Sequence, residues 1–207
     1  MTQVKICGVN DAVAFDTVIA TAADYVGFVF FPPSPRFVTP TQAAALSARH
    51  TGGPKRVALL VKPDDDLVAD VVATLHPDIL QLYAPIARVA ELRARFGLPV
   101  WRAVGVSQAA DLPTSADGAD ALLIEAKPPT DATRPGGNAT VFDWSLLAGW
   151  KPGYDWLLAG GLTPDNVAAA IAATEAPGVD VSSGVETTPG VKDAAMIRAF
   201  VKAARTA

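Results

Sequence analysis

Two glycine-bearing turns hold the residues of this chain best suited to chemistry, and each follows a short apolar run. Trp156-Leu157-Leu158-Ala159 ends at Gly160-Gly161, and Val179-Asp180-Val181 ends at Ser182-Ser183-Gly184. Glycine lets the backbone turn sharply while bringing bare N–H groups toward an anion, and serine adds hydroxyl donors. Thr163 and Pro164 have the residue types of an N-cap and a first helical position, and Pro189-Gly190 leads into a last helix. A turn opening toward a helix start suits an anion, and a pair of such turns after the last two strands of a β/α array suits a phosphate group. The expected chemistry is therefore capture of a phosphorylated small molecule at Gly160, Gly161, Ser182, Ser183 and Gly184. Either turn alone would equally serve as a plain tight turn; their pairing within a repeating pattern is what points to phosphate.

The elements that must position these turns read as an alternation of strands and helices. A first strand over residues 3–6 ends at Cys7-Gly8, and Asn10 follows as the expected N-cap of a helix with Ala12, Phe15 and Ile19 at helical spacing. Residues 24–30, DYVGFVF, are apolar on both alternating sets, as in a parallel strand covered on both faces. The prolines of residues 31–37 exclude helix and central strand, leaving a stiff loop that presents Arg36. Thr39 caps an alanine-rich helix after Pro40, and Asp64, Asp65 and Asp66 mark another helix start. Further strands are expected over 56–61, 79–83, 99–104 and 121–125, with a helix carrying Val89, Leu92 and Phe96 stopped by Gly97. Residues 127–140, KPPTDATRPGGNAT, suit a long mobile loop of the kind that serves a site, and 142–147 a short helix. Ile197, Phe200, Val201 and Ala204 form one stripe of the final helix. Eight strands alternating with helices predict a single-domain (β/α)8 TIM barrel over 1–207, with shortened helices.

Composition narrows the function. At 207 residues with 50% apolar content, the chain can build one sizeable core. A net charge of −4, with scattered lysines and arginines, offers no basic field, so nucleic acid is excluded as a partner. No stretch has the apolar length of a membrane span and the start, MTQVKICG, is no leader, so a cytoplasmic protein without membrane contact is expected. A single cysteine and two separated histidines, His50 and His76, predict neither an internal disulfide nor a metal site, and no cofactor is expected.

With the strands placed, the chain resembles phosphoribosylanthranilate isomerase over essentially its whole length. The resemblance is carried by Val4-Lys5-Ile6-Cys7-Gly8, by Gly27-Phe28-Val29-Phe30 with Ser34-Pro35-Arg36, by Phe142-Asp143-Trp144, by Leu158-Ala159-Gly160-Gly161-Leu162, and by the run from Asp180 to Glu186. It implies an Amadori rearrangement in tryptophan biosynthesis, in which an aminoaldose phosphate becomes a 1-amino-1-deoxyketose phosphate. Such chemistry needs an acid for the furanose ring oxygen and a base for the C2′ proton. The resemblance makes Cys7 the general base, Arg36 the partner of the anthranilate carboxylate, Asp180 a neighbour of the sugar hydroxyls, and the paired turns the phosphate site. It also implies a phosphosugar as the small-molecule partner and an enzyme working as a monomer.

The chain departs from the family pattern on the site face. Where the family has an aspartate as general acid, Leu123-Ile124-Glu125-Ala126-Lys127 places Glu125, one methylene longer. The histidine and glycine that usually end strand four are Tyr83 and Ala84, a usual asparagine after strand three is Lys62, and a Gly-Gly-Asn-Gly pattern reads Gly136-Gly137-Asn138-Ala139. To donate a proton near neutral pH, Glu125 must have its pKa raised from about 4.3 by burial or a nearby negative group. Two readings stand at this point: an isomerase with Cys7 and Glu125 as its catalytic pair, or a phosphosugar-binding barrel with lost or altered turnover. Isomerisation of the histidine-pathway aminoaldose would need an aspartate where Cys7 stands.

Overall fold

The fold was described from a computed structural model, which covers residues 1–127 and 143–207. Eight strands close a parallel barrel in sequence order: β1 (Gln3–Cys7), β2 (Tyr25–Phe30), β3 (Lys55–Val61), β4 (Ile79–Tyr83), β5 (Val100–Val106), β6 (Ala121–Ala126), β7 (Asp155–Leu158) and β8 (Gly178–Val181). Closure is made where β1 pairs with β8, Lys5 standing opposite Asp180. All eight expected strands are present, with ends shifted by one or two residues.

Each strand turns alternate side chains inward and outward. The outward set, including Ile6, Phe28, Leu60, Leu82 and Ile124, packs with Phe15 and Phe200 of the helices into the main core. The inward set is layered. Tyr25, Val57, Ile79, Trp101, Leu123 and Leu157 fill the end where the strands begin, with Tyr25 and Trp101 edge to face at 4.8 Å between centroids. Cys7, Val29 and Leu59 stand at the other end with Val61 and Tyr83. Packing one end solid leaves the C-terminal mouth for chemistry.

Among the described residues six α-helices cover the strands: α1 (Ala12–Ala20), α2 (Pro40–Ser47), α3 (Asp65–Leu75), α4 (Ile86–Phe96), α5 (Val167–Thr174) and α6 (Ala194–Thr206). Thr39 caps α2 through a reciprocal capping box with Gln42, Asp64 caps α3, and Gly97 stops α4 at φ +65°. The expected stripe of α6 is buried at Ile197, Phe200, Val201 and Ala204. Among the described residues, the crossovers after β5 and β6 carry only 3-10 turns, Ala109–Asp111 and Trp144–Leu147. After β5 the expected alternation lacks an α-helix, because residues 107–120 are too rich in Ser, Asp, Pro and Gly for an apolar helical stripe; after β6 the short helix expected over 142–147 is present as the turn Trp144–Leu147. From residue 128 on, the loop expected over 127–140 lies outside the described residues, as do Gly136-Gly137-Asn138-Ala139 and Phe142.

Three local expectations are corrected. The N-cap of α1 is Asp11, whose Oδ1 accepts from Ala14 N at 2.9 Å; Asn10 instead donates to the Gly190 carbonyl. Thr163 does not cap α5: Asn166 accepts from Thr163 N at 2.7 Å and donates to Gly161 O, closing a turn that delays the helix to Val167. Pro189-Gly190 does not enter α6 directly but turns a hairpin of β9 (Glu186–Thr188) and β10 (Val191–Lys192), after which Asp193 caps the helix. Asp11→Ala should lower unfolding free energy by about 1 kcal/mol, and Asp11→Asn should retain most of it. Urea midpoints read the difference, and an unmoved midpoint in Asp11→Ala would contradict this assignment of the cap.

Candidate active site

The site is built where inward positions run out of barrel. On β1, Lys5 and Cys7 are two residues apart and share the inward face; Asp180 on β8 stands opposite Lys5. Lys5 is fully buried, and its ammonium donates to Asp180 Oδ1 at 2.7 Å. Gly27 of β2 makes room for both groups: a Cβ there would meet Cys7 Sγ at 3.0 Å and Lys5 Nζ at 3.2 Å. Across the barrel, Glu125 ends β6 and is 7% exposed, with Tyr83 from the end of β4 beside it.

One cavity at this mouth is lined by Cys7, Arg36, Glu125, Asp180, Gly160, Gly161, Ser182, Ser183 and Gly184, the whole set of expected site residues. Tyr83 lines it as well, and Val29, Leu59 and Val61 supply an apolar wall. Arg36 is held across Gly8, where a Cβ would overlap the arginine's Cδ, and its guanidinium meets Glu186 through two bonds of 2.6 and 2.7 Å.

The two turns interlock. Gly160 and Gly161 both take positive φ, +87° and +66°, and a Cβ on Gly184 would overlap the carbonyl oxygen of Leu162, so the turns touch only because Gly184 is bare. The amides of Gly161, Ser183 and Gly184 donate to no acceptor among the described residues. Ser182 differs from expectation in part: its hydroxyl donates to the Cys7 carbonyl at 3.1 Å, tying the end of β8 to the end of β1.

Electrostatics separates the two proton-transfer candidates. Burial is the main cause that raises the Glu125 carboxyl to about 8; the Tyr83 hydroxyl opposes it, the Asp180 charge reinforces it and the Lys5 ammonium opposes it. Glu125 is thus a protonated acid at neutral pH. Burial also pushes the Cys7 thiol up, with Lys5 pulling it down and Asp180 pushing it further up. Burial is the largest influence on Lys5 and works against its charge, but Asp180 and Cys7 together outweigh it and raise its pKa.

Comparison with known proteins follows the same lines. Residues 4–203 match the family model described as N-(5'phosphoribosyl)anthranilate (PRA) isomerase. The chain belongs to the PRA isomerase family. It is 53% identical over 208 residues to the N-(5'-phosphoribosyl)anthranilate isomerase of Granulibacter bethesdensis, covering 100% of each chain. The crystal structure of TrpF from Jonesia denitrificans is 38% identical, with a TM-score of 0.85 over 99% of this chain and 97% of that one. A phosphoribosyl anthranilate isomerase in complex with reduced 1-(o-carboxyphenylamino)-1-deoxyribulose 5-phosphate is 32% identical, with a TM-score of 0.85 over 100% of each chain.

Within this family framework, sequence reasoning passed over Lys5, Glu186 and Lys192 as site residues. Lys5 carried a signal, a lysine inside an apolar strand two positions before the cysteine. Glu186 meets Arg36, and Lys192 meets Glu186, only through the hairpin, which no local pattern announces.

The raised Glu125 carboxyl has a stability consequence. Its folded value of about 8 lies above the unfolded value of about 4.3, so between these the folded state binds the extra proton. Stability must then fall as pH rises through that window, by up to about 1.4 kcal/mol per pH unit. Glu125→Gln should remove this slope, so the variant's melting temperature should gain on the parent's from pH 5 to pH 8. Parallel curves for the two proteins would show that Glu125 is not held protonated.

Proposed function

We infer that the chain catalyses the Amadori rearrangement of N-(5'-phosphoribosyl)anthranilate to 1-(2-carboxyphenylamino)-1-deoxyribulose 5-phosphate in tryptophan biosynthesis. The observation that carries this reading is a buried strand-end carboxyl, Glu125, lining the same cavity as the strand-end thiol of Cys7, with burial raising its pKa to about 8. Glu125 donates its proton to the furanose ring oxygen as the C1′–O bond breaks, leaving an open-chain iminium. Cys7, as thiolate, then removes the C2′ proton, and the resulting enolamine tautomerises to the ketose. Lys5 favours that thiolate as the nearest cation, while Asp180, fixed by Lys5, serves the sugar hydroxyls through its remaining oxygen.

Binding is divided among other groups. The amides at Gly160, Gly161, Ser182, Ser183 and Gly184 take the phosphate, and Arg36 takes the anthranilate carboxylate. Residues 1–207 work as one barrel domain, a cytoplasmic monomer, with no metal or cofactor in this mechanism. The reading of a barrel that binds phosphosugar without turnover has no observation of its own in its favour.

The deciding experiment is turnover of N-(5'-phosphoribosyl)anthranilate by the purified protein. Cys7→Ser and Glu125→Gln should each abolish it, by about 100-fold or more, while affinity for a reduced product analogue stays near the parent's. Binding of the analogue without turnover by the parent would overturn the reading. Glu125→Asp should lower the rate, since Tyr83 stands beside the longer acid and the shorter one withdraws the proton from the ring oxygen. A faster Glu125→Asp enzyme would show instead that the rim still fits an aspartate.

The pH profile follows from the same pair. Below about pH 8 Glu125 keeps its proton, while the Cys7 thiolate grows about tenfold per pH unit. Above it, loss of the acid cancels further gain of the base. Accordingly kcat/KM should rise to about pH 8 and level there, the break belonging to the pair as a whole. A maximum near pH 6 would contradict this ordering of acid and base.

A further inference from the structure

Arg36 meets more than the cavity. Its Nε donates to Glu186 Oε1 at 2.6 Å and its Nη2 to Oε2 at 2.7 Å, a bidentate pair on one edge of the guanidinium. Glu186 accepts two further bonds, from Lys192 Nζ to Oε1 at 2.7 Å and from Gly190 N to Oε2 at 3.2 Å. Four donors saturate this carboxylate. Side-chain exposures of Arg36, Glu186 and Lys192 are 4, 3 and 0%, so the cluster is nearly dry.

Two consequences follow. First, two cations and one anion leave the cluster with one positive charge in excess, and a buried charge without a partner is costly. Lys192 has no donor left for an added anion, because its ammonium donates to Glu186 Oε1 at 2.7 Å, to the Ser182 carbonyl at 2.8 Å and to the Ser182 hydroxyl at 3.4 Å. The excess charge therefore faces outward through Arg36, which lines the cavity. Second, occupation of the Nε/Nη2 edge decides which edge is left. Among the described residues the Arg36 side chain donates only to Glu186, so the Nη1/Nη2 edge remains for a planar anion.

We propose that Glu186 is the positioning residue for selectivity toward a carboxylated arylamine: it grips one edge of Arg36 and turns the other toward the substrate's carboxylate. The proposal rests on the assignment of Arg36 to that carboxylate. Glu186 touches neither substrate nor reacting atoms, and it acts through the arginine. The hairpin β9–β10 exists in this account to carry it: Gly190 turns at φ +88° where a Cβ would overlap the Pro35 carbonyl, so the hairpin sits directly on the loop that bears Arg36.

Glu186→Gln distinguishes positioning from simple charge. Removing a negative charge beside Arg36 would, by Coulomb attraction alone, tighten the carboxylate and lower KM. Loss of the grip frees the guanidinium to rotate and raises KM. The expected result is a KM for N-(5'-phosphoribosyl)anthranilate raised at least about tenfold, with kcat within about twofold of the parent. The preference for that substrate over its phosphoribosyl-aniline counterpart, which lacks the carboxylate, should fall by the same factor. Glu186→Asp, which keeps the charge and the fork, should recover part of the loss. In an Arg36→Ala background Glu186→Gln should change KM by no more than about twofold.

An unchanged or lowered KM in Glu186→Gln overturns the proposal, as does an equal loss with both substrates. Should Glu186→Gln not fold, Glu186→Asp alone decides: a raised KM confined to the carboxylated substrate supports the proposal, and parent-like selectivity overturns it. Failure of the parent to turn over the substrate, or selectivity that survives Arg36→Ala, would instead remove the functional reading beneath it.

Discussion

The buried pair between Lys5 and Asp180 is the constraint on which the rest of the site depends. It lies across the seam where β1 meets β8, so it belongs at once to barrel closure and to the chemistry. Desolvating two charges is expensive, and removing one partner is worse because it strands the other. A sequence that keeps both is therefore held to a register that places Cys7 two residues beyond Lys5 and Ser182 two beyond Asp180. The Ser182 hydroxyl bond to the Cys7 carbonyl repeats the same seam one layer higher. Barrel closure, the proposed base and one wall of the proposed phosphate cradle are thus set by one register.

The pair also divides the electrostatic work. Each charge acts on both groups in opposite senses, but the cation's pull is the larger of the two on the Cys7 thiol and the anion's push is the larger on the Glu125 carboxyl. Burial still dominates each: it raises both acids, which suits Glu125 and opposes Cys7. A closed, dry site therefore favours the acid half of the reaction and leaves the base half to the nearest cation. That asymmetry explains why a lysine, costly at full burial, stands in the middle of a strand.

What the sequence revealed follows from locality. Strands buried on both faces read as apolar runs, and Gly97, Thr39 and Asp64 mark helix ends through their own backbones or within three residues. The paired glycine turns were legible for the same reason, since positive φ and close approach are properties of Gly160, Gly161 and Gly184 themselves. Asn10 and Asp11 are adjacent and chemically alike as caps, and only the hydrogen bond to Ala14 separates them. Glu186 was not legible as a partner of Arg36, because the contact spans 150 positions and depends on a hairpin of three and two residues. The raised carboxyl of Glu125 was legible only as a requirement, since its main cause is burial by the closed barrel and the charge that adds to it, Asp180, comes from β8.

The longer acid has a structural counterpart in Tyr83. β4 and β6 are separated by β5, whose residue in register with Glu125 is Gly105, so the intervening strand offers no side chain at that level. A phenol from β4 can then stand beside a carboxyl from β6, and its hydroxyl opposes part of the burial effect on that carboxyl. Burial together with the Glu125 charge holds the phenol's own pKa well above its ordinary value, so Tyr83 stays a neutral hydroxyl through the working pH range. Glutamate has one more rotatable bond than aspartate and loses more freedom when its proton is aimed. A neighbouring hydroxyl with a fixed protonation state limits that freedom. The two departures at the ends of β4 and β6 thus act on one proton, which is why they are better read as a matched pair than as two losses.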